Sequence, residues 1–444
     1  MLVTRGRNPS ASEVITQLFL NKELRGRVLV TLGMLLFVRL GIYIPVPGID
    51  AEKFQTFIEQ GGQLIGFLDI FTGGGISTLG IFALGILPFI NASIIIQLLT
   101  AALPQLEDLQ KNEGEAGRRK IAQITRYVAL GWGFMQSLVF ATILLPYADN
   151  TMGTDAQFLM QTSIALVTGS IIVMWLSEII TEKGIGQGAS LVIFLNIVAT
   201  LPKALSSTIE KAQTGDRSDV FGIIVLLIVF LITIVGIIFV QEGARKLPIV
   251  SAKRQIGGTA ILPTRQSYLP LKLNAGGVMP IIFASALIFL PITIANFAKD
   301  TNVGPFLLKA SGALNPGAAN PWPYAITFFA LILGFSYFYA SLTINPVDIS
   351  ANLKRGGVAI PGVRPGSATS KYLSGVQNRL TLLGGLFLGS VAIVPAAVER
   401  ATNVQTFQGL GATSLLILVG VAIDTAKQVQ TYVISQRYEG LVRQ

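Results

Sequence analysis

GGQLIGFLDIFTGGGISTLGIFALGILPFINASIIIQLLT, residues Gly61 to Thr100, is the stretch on which the architecture turns. Its short apolar run, Leu64, Ile65, Phe67, Leu68, Ile70 and Phe71, is too brief to cross a bilayer. Gly73, Gly74 and Gly75 follow, and glycines do not continue a helix. From Ser77 to Leu103 the text is apolar again and long enough to span, since a crossing needs roughly 20 residues. A short helix, a glycine hinge and a spanning helix describe a discontinuous membrane segment. The same text also fits a re-entrant or extracytoplasmic loop without function. In either reading the stretch lies within protein, because broken backbone at membrane depth is tolerated only there or beside a water-filled cavity.

The rest of the chain agrees with a membrane setting. Of 444 residues, 51% are hydrophobic and 13% charged, against about 25% charged in soluble domains. The class is an all-α polytopic membrane protein. Neither cysteine nor histidine occurs, which removes disulfides, Cys/His zinc sites and nucleophiles built on Cys or His. Met1 leads into a polar, basic leader, Thr4-Arg5-Gly6-Arg7-Asn8, without a signal-peptide core, so no cleaved segment is expected.

Ten spans are predicted, near 24–44, 77–103, 123–146, 157–180, 186–205, 219–241, 275–297, 321–343, 380–398 and 410–431. With the N-terminus inside, 25 of the 33 basic residues fall on the cytoplasmic side and 8 outside. The positive-inside rule therefore places both termini in the cytoplasm. Two cytoplasmic loops concentrate that charge. Residues 243–273 include Lys253 and Arg254 and no acid. Residues 348–379 include Lys354, Arg355, Arg364 and Lys371 against Asp348 alone. Ordinary stop-transfer or headgroup charge accounts for many such loops. These two are long and hold strand-like text, Ile249-Val250-Ser251 and Val358-Ala359-Ile360-Pro361-Gly362, which favours docking sites for an acidic partner.

Charge inside the spans is scarce. Arg39, Glu178 and Asp424 lie near span ends, where snorkelling explains them. A coupled transporter would place ionisable groups near the midplane, an intramembrane protease would need a Ser/His or paired-Asp site, and an ATPase would show GxxxxGK[ST]; none is present. The reading is neither catalyst nor energy converter. Ten spans divide five plus five at the 206–218 loop, so the second half, 219–431, enters opposite to the first, 1–205, with 432–444 as a tail. Halves inverted in this way place a path at their interface. Ile86 and Ile90 are four residues apart and share a helical face, which taken alone is ordinary packing.

The wording of several blocks resembles the SecY family, central subunits of protein-conducting channels. The blocks are FTGGGISTLGIFALGILPFINASIIIQLL, EGEAGRRKIAQITRY (Glu113–Tyr127), EKGIGQGASLVIF (Glu182–Phe194), AKRQIGG, LPLKLNAGGVMPIIFAS and PGVRPGSATSKYL (Pro361–Leu373). The resemblance implies two inverted five-helix halves around a central pore, hinged between the fifth and sixth spans, with a lateral gate between the second and seventh. It makes residues 61–76 a plug. It also implies an apolar pore ring, matched here to Ile86, Ile90, Ala189, Ile193, Ile282 and Ile417, with Ala189 smaller than the residue usual there. Arg254 and Arg364 fall in the family's docking motifs. Implied partners are the small membrane subunits SecE and SecG, the SecA motor, the ribosome with its RNA, unfolded polypeptides with signal sequences, and membrane lipid; no cofactor is implied. The implied location is the bacterial plasma membrane, or also the thylakoid membrane. A small-solute transporter with inverted repeats, and a scaffold that only docks ribosomes, are the competing readings.

Overall fold

The computed structural model describes residues 21–49, 54, 69, 72–111, 113–148, 154–214, 217–251, 255–256, 260–261, 267–297, 309, 312–314, 320–402 and 412–442. The predicted plug residues Leu64, Ile65, Phe67, Leu68, Ile70 and Phe71, and the docking residues Lys253 and Arg254, lie outside them.

Twelve helices carry the described fold. They are α1 (Lys22–Ile42), α2 (Leu87–Ala102), α3 (Pro104–Lys111), α4 (Gly114–Leu144), α5 (Asp155–Lys183), α6 (Gly188–Thr214) and α7 (Arg217–Glu242), then α8 (Met279–Phe297), α9 (Trp322–Thr343), α10 (Pro346–Arg355), α11 (Ser367–Thr402) and α12 (Ala412–Val442). All but α3 and α10 overlie a predicted span. Among the described residues five helices are long and apolar enough to cross a membrane alone, or six if α2 and α3, bent by 105°, count as one.

The second predicted span does not begin where its hydropathy does. Residues 76–86 run as turns, and the helix starts only at Leu87, with Pro88 in its first turn. There the missing N–H of proline leaves no bond unmade. The reason lies in the chain after α1. Ile44 and Val46 form backbone hydrogen bonds with Ile81 and Leu79 (2.8 Å each). Thr78 Oγ1 donates to Ile42 O at 3.1 Å. A Cβ at Gly80 would stand 2.0 Å from the Ile42 carbonyl oxygen, so only glycine permits the approach. The remaining 16 residues of α2 rise about 24 Å, short of the roughly 30 Å hydrocarbon core.

Other helices outrun their predicted spans. α4 begins at Gly114, α11 at Ser367, and α12 continues to Val442. Hydropathy marks only the part of a helix that lipid would see, and these extensions are charged or polar. The α11 extension has a second use. Strands β1 (Ala244–Ser251), β4 (Ser267–Lys272) and β5 (Val358–Ala359) form an antiparallel sheet in the order β4-β1-β5; β2 (Gln255–Ile256) and β3 (Ala260–Ile261) make a separate pair. Val250 pairs with Ala359 and Ser251 with Val358, so the two basic loops are joined by backbone. Leu247, Leu271 and Ile360 of this layer bury themselves with Leu373 and Val376 of α11 in a core of their own.

That separate core makes a prediction. Leu247→Ala removes a buried side chain and should cost the basic layer about 2–5 kcal/mol. Limited proteolysis should then cut the 243–273 and 348–379 loops faster than in the parent, while the spans stay inserted.

Candidate functional site

The matched ring positions come from four helices. Ile86 and Ile90 sit at the start of α2, Ala189 and Ile193 at the start of α6, Ile282 on α8 and Ile417 on α12. All five isoleucines belong to one buried apolar cluster, and half-buried Ala189 packs against it. Ile417 is 0% exposed and Ile193 1%. In that cluster α2 meets α8, and α6 meets α12. Ile86 is the N-cap of α2 rather than a residue within a helix. Ile90 N still donates to Ile86 O at 3.1 Å, so the two remain one turn apart. Sequence reasoning missed Ile94, Ile197 and Val421, also buried here. Each stands four residues beyond a named isoleucine, a signal that helical spacing carried.

The predicted glycine hinge is a braced turn. Gly73 and Gly74 adopt φ of 70° and 90°, the left-handed region. The Asp69 carboxylate accepts from Ile76 N at 3.0 Å and Ser77 N at 2.9 Å. Its backbone carbonyl accepts from Gly74 N at 2.8 Å and Thr72 Oγ1 at 3.1 Å. Arg39 of α1 does not snorkel freely: its guanidinium donates to the Gly73 carbonyl and to Tyr43 OH (3.1 Å). On the other side, a Cβ at Gly73 would meet Asn196 Oδ1 of α6 at 2.6 Å.

The other two charges near span ends also have definite surroundings. Arg126 Nε of α4 lies 2.7 Å from Glu178 Oε1 of α5, an ion pair between helices. Asp424 of α12 lines a cavity of about 740 Å³ with Gln187 just before α6, Ser190 of α6, Gln241 of α7 and the 272–279 turn. Asn274 Nδ2 donates to Gln241 Oε1 (2.9 Å) and to Gly277 O (2.7 Å), fixing the backbone where α8 begins.

On the basic layer Lys354 and Arg355 end α10, a placement the helix dipole favours. Arg364 follows β5, and Lys371 lies in the first turns of α11. All four are exposed, and none makes an ion pair among the described residues. Lys246 stands 5.1 Å over the Tyr268 ring. The five matched isoleucines therefore lie in one buried apolar cluster. The braced turn stands beside it, and a polar cavity opens among α6, α7 and α12.

Known proteins resemble the chain in sequence and in fold. The family model described as SecY matches residues 80–426. A protein translocase subunit SecY of Synechococcus elongatus is 62% identical over 446 residues, covering 100% of both chains. The chain is similar in fold, with a TM-score of 0.64 and 18% identity over 93% of each chain, to a solved SecY whose plug domain stabilises the closed translocation channel and maintains a membrane seal. Against Sec61 in the canine ribosome–channel complex from the endoplasmic reticulum the TM-score is 0.60, again at 18% identity over 93% of each chain.

The braced turn is open to a direct test. Asp69→Ala removes a charged acceptor of two backbone bonds, each of the kind that contributes about 1.5–3 kcal/mol. Amide hydrogen exchange at Ile76 and Ser77 should quicken in Asp69→Ala and stay slow in Asp69→Asn, whose side-chain oxygen still accepts.

Proposed function

This chain belongs to the SecY family, and on that premise we propose how it works: it is the channel subunit of a protein translocase, passing unfolded polypeptides across the membrane and releasing apolar segments sideways into lipid. The observation that carries the reading is the buried isoleucine cluster drawn from α2, α6, α8 and α12. An apolar neck gates by dewetting and passes ions poorly, yet sets no chemical requirement on a side chain moving through it. That suits cargo of arbitrary sequence and does not suit a small-solute carrier, which needs coordinating groups near the midplane. The chain does no chemistry itself. Work is supplied by docked partners.

In this reading ten spans form two halves, 1–205 and 219–431, with both termini cytoplasmic in a bacterial plasma or thylakoid membrane. Ile86, Ile90, Ala189, Ile193, Ile282 and Ile417 form the ring. Residues 61–76 plug it from outside, with the braced glycine turn at their end. Lateral release takes place between α2 and α8. The exposed cations Lys354, Arg355, Arg364 and Lys371, with Lys253 and Arg254, dock the SecA motor or ribosomal RNA, and SecE and SecG complete the membrane assembly. Sec61, the solved relative in the ribosome complex, supports the docking role.

Ile417→Asn or Ile282→Asn places hydrogen-bonding groups in the neck and lowers the cost of wetting it. Ion conductance of the resting channel in planar bilayers should rise, and weakly apolar signal sequences should be accepted more readily. Ala189 makes the loosest side of the ring, so Ala189→Ile should change little alone and should reduce the leak of a variant lacking residues 64–71. Equal leak with and without that substitution removes Ala189 from the ring.

Arg364→Glu tests the dock. Motor- or ribosome-dependent transport should weaken, and the gap from the parent should narrow as salt rises, because exposed charges are screened within about 8 Å at physiological ionic strength. A defect indifferent to salt rules out an electrostatic dock.

A further inference from the structure

The turn between α5 and α6, Gly184-Ile185-Gly186-Gln187, is held by side chains from the two ends of the chain. Ile185 N donates to Thr31 Oγ1 of α1 at 2.9 Å, and Thr31 Oγ1 donates in turn to Arg27 O at 2.9 Å. Gly186 N donates to Gln428 Oε1 of α12 at 3.0 Å. Gly188 N, at the first residue of α6, donates to Thr181 Oγ1 at 2.9 Å. Gly186 has a φ of 88°, and a Cβ at Gly188 would stand 1.8 Å from the Ser177 carbonyl oxygen. The start of α6 therefore has very little freedom in any direction.

One turn beyond Gln428, Tyr432 repeats the grip. Its hydroxyl accepts from Arg27 Nε at 3.0 Å and donates to the Glu23 carboxylate. The Arg27 guanidinium lies 4.8 Å over the ring. Residues four apart share a helix face, so α12 presents Gln428 and Tyr432 together to the 184–187 turn and to α1.

We propose that Gln428 and Tyr432 are positioning residues for the neck: they fix the start of α6, and with it Ala189 and Ile193, against Ile417 of α12. Ala189 follows the clamped Gly188 directly, and Ile193 is one turn further. Ile417 precedes Gln428 by about three turns of α12, roughly 16 Å. The grip and the neck thus lie on the same pair of helices, and a tilt between them pivots at the grip and opens at the neck. The proposal rests on the ring reading above; its geometric half is measured separately.

The chain has no cysteine, so a disulfide between Ile193→Cys and Ile417→Cys reports the spacing of α6 and α12 alone. Its formation rate, and in the same variants without the cysteine pair the ion conductance of the resting channel, are followed for Gln428→Ala, Tyr432→Phe, the two combined, and Gln428→Glu. The combined variant is expected to form the disulfide several-fold more slowly and to leak, with each single variant intermediate. Gln428→Glu retains an acceptor for Gly186 N and should keep both readouts near the parent, which a general loss of stability would not. Slower disulfide formation without leak upholds the clasp and counts against the ring. An unchanged disulfide rate in the combined variant overturns the clasp, as does a loss in Gln428→Glu equal to that in Gln428→Ala.

Discussion

Backbone that leaves the helix at membrane depth must find its hydrogen bonds inside the protein, since lipid offers none and each unmet group costs several kcal/mol. The non-helical chain from Gly73 to Ile86 meets that demand with partners from several elements. Asp69, Arg39 and Ile42 serve its first half. Ile44 and Val46 pair with its middle. Ser170 of α5 donates to the Gly85 carbonyl at 3.0 Å. These bonds tie α1, α5 and α2 together around one strip of chain. The strip delivers Ile86 to the cluster at the point where α2 begins.

The cluster itself is held by a different force. Within a bilayer there is little hydrophobic gain in moving isoleucine from lipid into protein, so such packing rests on close van der Waals fit. Where the same side chains face a water-filled path, apolar surface regains its meaning, because wetting it carries the usual cost per unit area. A neck of isoleucines in the proposed channel is thus neutral toward its lipid-facing surroundings and hostile to water. It needs no charge for its seal, which fits a membrane interior with so few charged groups.

How much of this was legible in the sequence depended on which physical signal each feature left. Apolar runs located ten helices but misjudged their ends. Hydropathy could not see that Gly80 and Pro88 postpone α2 to Leu87, nor that α11 extends back to Ser367 to cover Leu247 and Leu271. Val250 and Val358 read as strand from composition, yet the pairing of Val250 with Ala359 and of Ser251 with Val358 across more than a hundred residues left no local trace. Ile193, Ile282 and Ile417 are unremarkable apolar residues, and only the resemblance singled them out. Hydropathy makes Arg39 a snorkelling charge, because it takes no account of a backbone carbonyl as a partner. An aspartate four residues ahead of a glycine run was the available clue to the brace, since a short carboxylate can accept the bare amides of a turn.

One helix shows how these forces are apportioned. Along the inner face of α12 the order is Ile417, Val421, Asp424, Gln428 and Tyr432. Burial falls away along the same line, from Ile417 at 0% exposed and Val421 at 3% to a half-buried Asp424. A dry seal needs a steep boundary of this kind. If polar groups reached the neck they would hydrate it; if apolar groups filled the cavity, the dry length would grow and so would the cost of opening it, which scales with apolar area. Placing Gln428 and Tyr432 just beyond that boundary puts the directional bonds where they compete with water only at the rim. The non-directional contacts are left to close the neck. Hydrogen bonds fix the angle at which helices meet far better than apolar contact does, so in the proposed channel a clasp between α6 and α12 at the polar end would let a ring of featureless side chains close in register.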